Sequence, residues 1–158
     1  MFSQKPNVAI VGSTGAVGEA MVAILEQREF PVGTLYPLAS ERSAGKTLMF
    51  RKKAVLVKSL ESFDFSHVEI AFFSAGASVS AEYAARAVAS GCVVIDNTSH
   101  FRNDPAIPLV VPEVNPNALS SHSGIIANPN CSTIQMVVAL KPIYDAVGIT
   151  RINVCTYQ

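Results

Sequence analysis

The 158-residue sequence is long enough for one packed unit, and 49% of it is hydrophobic against 15% charged. Twelve Lys and Arg offset twelve Asp and Glu, so the charge points to neither nucleic acid nor a membrane surface as a partner. Apolar runs such as Val8–Val11 and Ile70–Phe73 are strand-sized, far short of the ~20 residues of a membrane span. Three cysteines without framework spacing predict reduced thiols and a cytoplasmic protein.

In chain order, residues 7–11 read as a buried strand ending at a glycine. Residues 16–27 follow with Val17, Met21, Ile24 and Leu25 at helical spacing. Residues 34–39 predict a second strand. The stretches 47–50 and 54–57, broken by Arg51-Lys52-Lys53, predict a hairpin. Residues 68–74 form another buried run, ended by Ala75-Gly76. Residues 79–90 are Ala-rich and helical, stopped by Gly91 just past the end. A strand at 92–96 is followed by short strands at 109–111 and 124–127 in a Pro/Asn-rich region. Residues 132–147 predict a helix that Pro142 kinks. Residues 150–158 alternate apolar and polar and predict a strand, and a sequence stopping inside one predicts a truncated piece. Strands alternating with helices give an α/β fold, a doubly wound and mostly parallel sheet of Rossmann-like type.

Two stretches carry chemistry. The first strand runs into Gly12-Ser13-Thr14-Gly15-Ala16-Val17-Gly18 and then into a helix. This is a variant of the dinucleotide fingerprint, in which small residues let the backbone turn sharply and approach a pyrophosphate. The helix N-terminus adds partial positive charge. The end of the second strand selects the dinucleotide. Ser40, Arg42 and Ser43 suit a 2′-phosphate and hence NADP, because a guanidinium fork matches phosphate. Glu41 is the contrary signal, since an acidic residue here binds the ribose hydroxyl of NAD. Ser74, Gly76 and Asn97, at the ends of later strands, face the crevice where doubly wound folds bind ligands.

The second stretch is Ala127-Asn128-Pro129-Asn130-Cys131-Ser132-Thr133-Ile134-Gln135. Its Pro and Asn residues make a turn, so Cys131 falls at a helix start, where the dipole favours a thiolate nucleophile. Cys92 and Cys155 lie in predicted apolar strands and read as inert and buried. Arg102 offers a fork for a phosphate, or an ion pair with Asp104. No metal-ligand spacing is present.

Together these pieces resemble the aspartate-semialdehyde dehydrogenase family. The matching segments also include Ser40-Glu41-Arg42-Ser43-Ala44-Gly45-Lys46, Phe73-Ser74-Ala75-Gly76, Asp96-Asn97-Thr98-Ser99 with Phe101-Arg102, and Val111-Pro112-Glu113-Val114-Asn115. The resemblance implies reduction of aspartyl phosphate to the semialdehyde with NADPH, reversible in the presence of phosphate, on the route to lysine, threonine and methionine. It implies Cys131 as the nucleophile that forms an acyl-enzyme, Arg102 as the ligand of the substrate phosphate, and Gln158 beside the reacting carbonyl. Gly12, Thr14, Gly15, Ala16, Val17, Ser40, Arg42, Ser43, Ser74, Gly76 and Asn97 are the expected cofactor ligands. It also implies a dinucleotide-binding domain over 1–132, the start of a catalytic domain over 133–158, and a homo-oligomeric full-length enzyme. The family's general acid/base histidine is not matched by His67, His100 or His122, so the piece is expected to bind cofactor without turnover. Two alternatives remain open: an N-acetyl-glutamyl-phosphate reductase-like enzyme, and a non-catalytic dinucleotide-binding sensor.

Overall fold

The computed structural model describes residues 3–157. Its strands in chain order are β1 (Val8–Val11), β2 (Leu35–Ala39), β3 (Thr47–Phe50), β4 (Lys53–Leu56), β5 (Lys58–Ser59), β6 (Ile70–Phe73), β7 (Val93–Asp96) and β8 (Ile125–Ala127). Its helices are α1 (Ala16–Gln27), α2 (Ala77–Ala89) and α3 (Cys131–Val147). Six strands form one sheet in the order β5-β2-β1-β6-β7-β8, with every pairing parallel, and β3 and β4 form a separate antiparallel hairpin.

β1 is the central strand, and all four of its residues are fully buried. Alternation along a strand sends successive side chains to opposite faces. Val8 and Ile10 join a core with Val22, Leu25, Val32, Leu35 and Phe50 beneath α1 and the hairpin. Ala9 and Val11 join a second core with Leu38, Phe65, Phe73, Ala84 and Ala87 beneath α2. The sheet is thus covered on both faces, which is why its strands read as continuous apolar runs. Burying each large aliphatic or aromatic side chain contributes about 1.5–3 kcal/mol. An aromatic chain adds to the α2 side: Tyr36–Phe63, Phe63–Phe65 and Phe65–Phe73 have ring centroids 5.4, 5.1 and 6.5 Å apart.

The hairpin turns at Arg51 and Lys52, both with positive φ (48° and 62°). A two-residue turn of this hand matches the strand twist but disfavours side chains, at a cost of order 1–3 kcal/mol per residue. Arg51 offsets this by donating to the carbonyls of Phe30 and Val32, which ties the hairpin to the loop after α1.

Several expectations change. α1 buries Gly18, Val22 and Leu25, whereas Val17 and Ile24 are about half exposed. The helix is rotated so that Gly18 faces the glycine turn, where a Cβ would come within 2.2 Å of Gly12 O. The stretch 109–111 is no strand; Leu109 makes one isolated bridge to Ala127. Residues 151–157 are exposed and carry no regular structure, because no neighbouring strand pairs with them among the described residues, and an alternating pattern alone does not hold a strand. Cys155 is therefore exposed rather than buried. β5, two residues long, is too short to be seen in the sequence.

Candidate functional site

The strand order reverses between β1 and β6, since β1 leads through α1 to β2 on one side while β6 leads through α2 to β7 on the other. Ligands of doubly wound folds bind outside the carboxyl ends of the strands at such a point. A cavity of about 440 Å³ lies there. Gly12, Thr14, Gly15, Ser40, Arg42, Ser43 and Ser74 line it.

The turn after β1 is built for close approach. Gly12 has φ +89°, and a Cβ on it would stand 3.0 Å from Ser74 C and Ala75 N. Gly12 N and Ser13 N both donate to Leu38 O (2.9 and 3.1 Å), which anchors the turn to β2. The amides of Thr14, Ala16 and Val17 have no backbone acceptor among the described residues. The N-cap residues of α1 and α2, Gly15 and Gly76, supply no side-chain cap. Two helix N-termini with free donors thus meet at one cavity, an arrangement suited to a pyrophosphate.

At the end of β2, residues Glu41–Ser43 form a 3-10 turn. Glu41 is turned away from the cavity: its Oε1 accepts from Ser59 Oγ at 3.2 Å. Arg42 has no hydrogen bond or ion pair among the described residues, and its guanidinium is free for an anion. Ser74 Oγ donates to Val11 O (3.1 Å) and ties the ends of β1 and β6 together.

The sheet register extends this edge towards the cysteine. Val11 pairs with Phe73, Phe73 with Asp96, and Asp96 with Ala127. Gly12, Ser74, Asn97 and Asn128 therefore follow one another along a single row, roughly 14 Å across three strand spacings. Asn97 Oδ1 accepts from Asn128 Nδ2 at 2.7 Å. Arg102 bridges the same two strand ends, with Nε donating to Asn128 O and Nη2 to Asn97 O, each at 3.0 Å. It forms no ion pair with Asp104, whose Oδ1 instead accepts from Ala106 N. Beneath this row, the fully buried carboxylate of Asp96 accepts from Ser80 Oγ, Thr98 N and Thr98 Oγ1.

Cys131 is the first residue of α3, exposed, on the same carboxyl edge as the glycine turn. Asn130 caps the helix by accepting from Thr133 N at 2.9 Å. Cys92 contrasts with it: burial pushes its thiol up to about 12.

Ala16, Val17, Gly76 and Asn97 do not line the cavity itself, although all four border the same edge. Gln158 lies outside the described residues. His67, His100 and His122 line no part of the cavity; His100 stacks edge-on against Phe101 and His122 Nδ1 accepts from Gly124 N. Sequence reasoning missed Leu60, Glu61, Val79, Glu82 and Tyr83 as lining residues. The one available signal was the spacing of Val79, Glu82 and Tyr83 along one face of α2.

The family described as "Semialdehyde dehydrogenase, NAD binding domain" matches residues 7–122. The chain is 65% identical to the aspartate-semialdehyde dehydrogenase of Legionella pneumophila over 159 aligned residues, covering 99% of this chain and 46% of that protein. The aspartate semialdehyde dehydrogenase II of Vibrio cholerae, solved in complex with ASA, superposes with a TM-score of 0.90 at 64% identity, over 92% of this chain and 48% of that one. The Candida albicans enzyme solved with NADP gives 0.78 at 25% identity, over 92% and 48%. The chain spans about half the length of the curated relatives it matches.

Proposed function

The chain belongs to the semialdehyde dehydrogenase family, and from that premise we propose that it is the cofactor-binding part of an aspartate-semialdehyde dehydrogenase that uses NADPH and a Cys131 thiolate. The observation that carries this reading is the register row Val11–Phe73–Asp96–Ala127, which puts the glycine turn and the exposed cysteine on one edge of the sheet.

The residues present fit a dinucleotide phosphate. Gly12 leaves room where a Cβ would collide, and among the described residues the amides of Thr14, Ala16 and Val17 have no backbone acceptor and Arg42, beside Ser40 and Ser43, has no partner. With Glu41 turned to Ser59, the fork of Arg42 stands beside Ser40 and Ser43 at the β2 end, which favours the 2′-phosphate of NADP over the ribose hydroxyl of NAD. When bound, the cofactor supplies a hydride.

Cys131 attacks the acyl phosphate of aspartyl phosphate; the C–O bond to phosphate breaks and a thioester forms. Amides at the start of α3 hold the developing oxyanion. Arg102 presents its remaining N–H groups to the departing phosphate while its other donors hold the Asn97 and Asn128 carbonyls. Reduction at the acyl carbon and release of the thiolate give the semialdehyde, an intermediate of amino-acid biosynthesis. Residues 133–158 read as the start of a second structural unit, because α3 buries none of its residues and an apolar groove runs along Val137, Leu140 and Tyr144.

Calorimetry with NADPH and NADH tests the cofactor assignment. Arg42→Ala is expected to weaken NADPH far more than NADH; equal losses would refute it. Incubation with aspartyl phosphate is expected to leave an acyl adduct on Cys131 that Cys131→Ser abolishes, and an adduct elsewhere would overturn the nucleophile.

A further inference from the structure

Asp96 ends β7, is fully buried and lines no part of the cofactor cavity. It forms no ion pair among the described residues. A buried carboxylate without a cation is costly unless hydrogen-bond donors surround it. Three donors do so here. Ser80 Oγ, on the buried face of α2, donates to Oδ1 at 2.8 Å. Thr98 N donates to Oδ1 at 3.1 Å, and Thr98 Oγ1 to Oδ2 at 2.8 Å. Ser80 and Thr98 are themselves buried. An apolar residue would cost this core less, so the distinctive contribution of the carboxylate is to fix where its donors stand.

What it fixes is the loop that carries Arg102. The Thr98 hydroxyl that donates to Asp96 also accepts from His100 N at 3.3 Å. On either side, Asn97 N donates to Phe73 O at 2.9 Å and Phe101 packs against the core beneath α2. The backbone from 97 to 101 is thereby pinned at its start, middle and end, and Arg102 follows directly. The Asp96 carbonyl in turn accepts from Asn128 N at 3.1 Å. Asn97 and Asn128 are the residues whose carbonyls hold Arg102 Nη2 and Nε. Asp96 thus stands behind both anchors of the guanidinium, with its carboxylate acting through Thr98 and its carbonyl through Asn128.

We propose that Asp96 is a positioning residue for the substrate phosphate: through Ser80 and Thr98 it holds the 97–102 loop so that Arg102 aims its remaining N–H groups at the departing phosphate. The proposal rests on the phosphate-binding role of Arg102 and adds the device that sets it. A guanidinium fork matches phosphate only when its plane and direction are fixed, and a displacement of about 1 Å costs about 100-fold in rate.

The test compares two reactions of Cys131 in the chain, each followed by mass spectrometry. Acylation by aspartyl phosphate needs an anion to be held, whereas alkylation by iodoacetamide, which is neutral, does not. Thr98→Val keeps the shape of the side chain and removes its hydroxyl. It is expected to slow acylation about ten- to hundredfold, towards the rate of Arg102→Ala, with alkylation unchanged. Thr98→Ser, which restores the hydroxyl, is expected to restore the acylation rate. If Thr98→Val does not fold, Ser80→Ala removes the other hydroxyl donor from the α2 side and is expected to show the same selective slowing. Unchanged acylation in the folded variant overturns the proposal. So does an equal slowing of both reactions, which a general loosening around α3 would produce, and so does a Thr98→Ser chain as slow as Thr98→Val. An Arg102→Ala chain that acylates at the unmodified rate overturns the phosphate role of Arg102 and this proposal with it. Absence of any Cys131 adduct in the unmodified chain overturns the acyl-enzyme reading on which both rest.

Discussion

Replacing Gly18 by alanine separates the two physical demands that the glycine motif combines. A Cβ at Gly18 would lie 2.2 Å from Gly12 O, 2.7 Å from Ser13 Cα and 2.8 Å from Gly12 C. All three are backbone atoms of the turn, so no side chain can rotate aside, and α1 must move away from the turn by about 1 Å to restore ordinary contact. Overpacking of this kind costs about 1–3 kcal/mol, and the better helix propensity of alanine returns at most about 1 kcal/mol. At this chain length, each kcal/mol lowers the melting temperature by about 2–4 °C. Gly15 is the control, because its φ of −91° suits any residue and a Cβ there meets only Gly12 O at 3.5 Å. Gly15→Ala is therefore expected to stay within about 1 kcal/mol of the unmodified chain, the difference between glycine and alanine at an N-cap. The expected results are a lower melting temperature and weaker NADPH binding for Gly18→Ala, with thermal stability largely kept in Gly15→Ala. A Gly18→Ala chain that melts at the unmodified temperature and binds NADPH equally well would refute the packing argument.

Three further outcomes are expected. Lys52→Gly relieves a φ of 62° in the hairpin turn and should stabilise the chain by about 0.5–1 kcal/mol in urea titration; a loss of stability would show that the Lys52 side chain contributes more than the strain it costs. The Glu69 carboxyl is held below its ordinary value by the Ser3 N–H, then by the Ser3 hydroxyl. Its folded value is the lower one, so its stabilisation is present above the unfolded value and lost as pH falls through the folded value. As pH falls through that folded value the Ser3 and Asn7 amides, which donate to Glu69, should lose protection relative to their intrinsic exchange rates, and Glu69→Gln should abolish that pH dependence; an identical acid profile in the variant would sink the assignment. Iodoacetamide at neutral pH should modify Cys131 and Cys155 in the folded chain and Cys92 only after unfolding, since Cys92 is buried with its thiol pushed up to about 12; rapid labelling of Cys92 in the native chain would contradict this.

The parts of this architecture legible in the sequence are those governed by local chemistry. The run at Val8–Val11, the glycines that follow it and the periodicity of α1 gave the first strand–turn–helix unit with α1 at its observed bounds. The paired stretches around Arg51 gave the hairpin, and Asn130-Cys131 gave the start of α3. What was missed depended on neighbours. Residues 151–157 alternate like a strand, but pairing needs a partner. Val17 and Ile24 look like core residues, yet the collision awaiting a Cβ at Gly18 sets the rotation of α1 and leaves them half exposed.

At the site the same division holds. The sequence by itself determined which chemical groups are available: a glycine turn, a guanidinium beside serines, and a cysteine at a helix start. Backbone conformation and side-chain type are encoded within a few residues, so these could be read directly. Only the tertiary structure decided what each group faces. It turned Glu41 to Ser59 and left Arg42 free, committed half of Arg102 to two strand ends, and brought Glu61 and Glu82 to the lining of one cavity. Such placements join positions up to 26 residues apart in the chain, set by parallel register and crossover direction, and no local pattern carries that information.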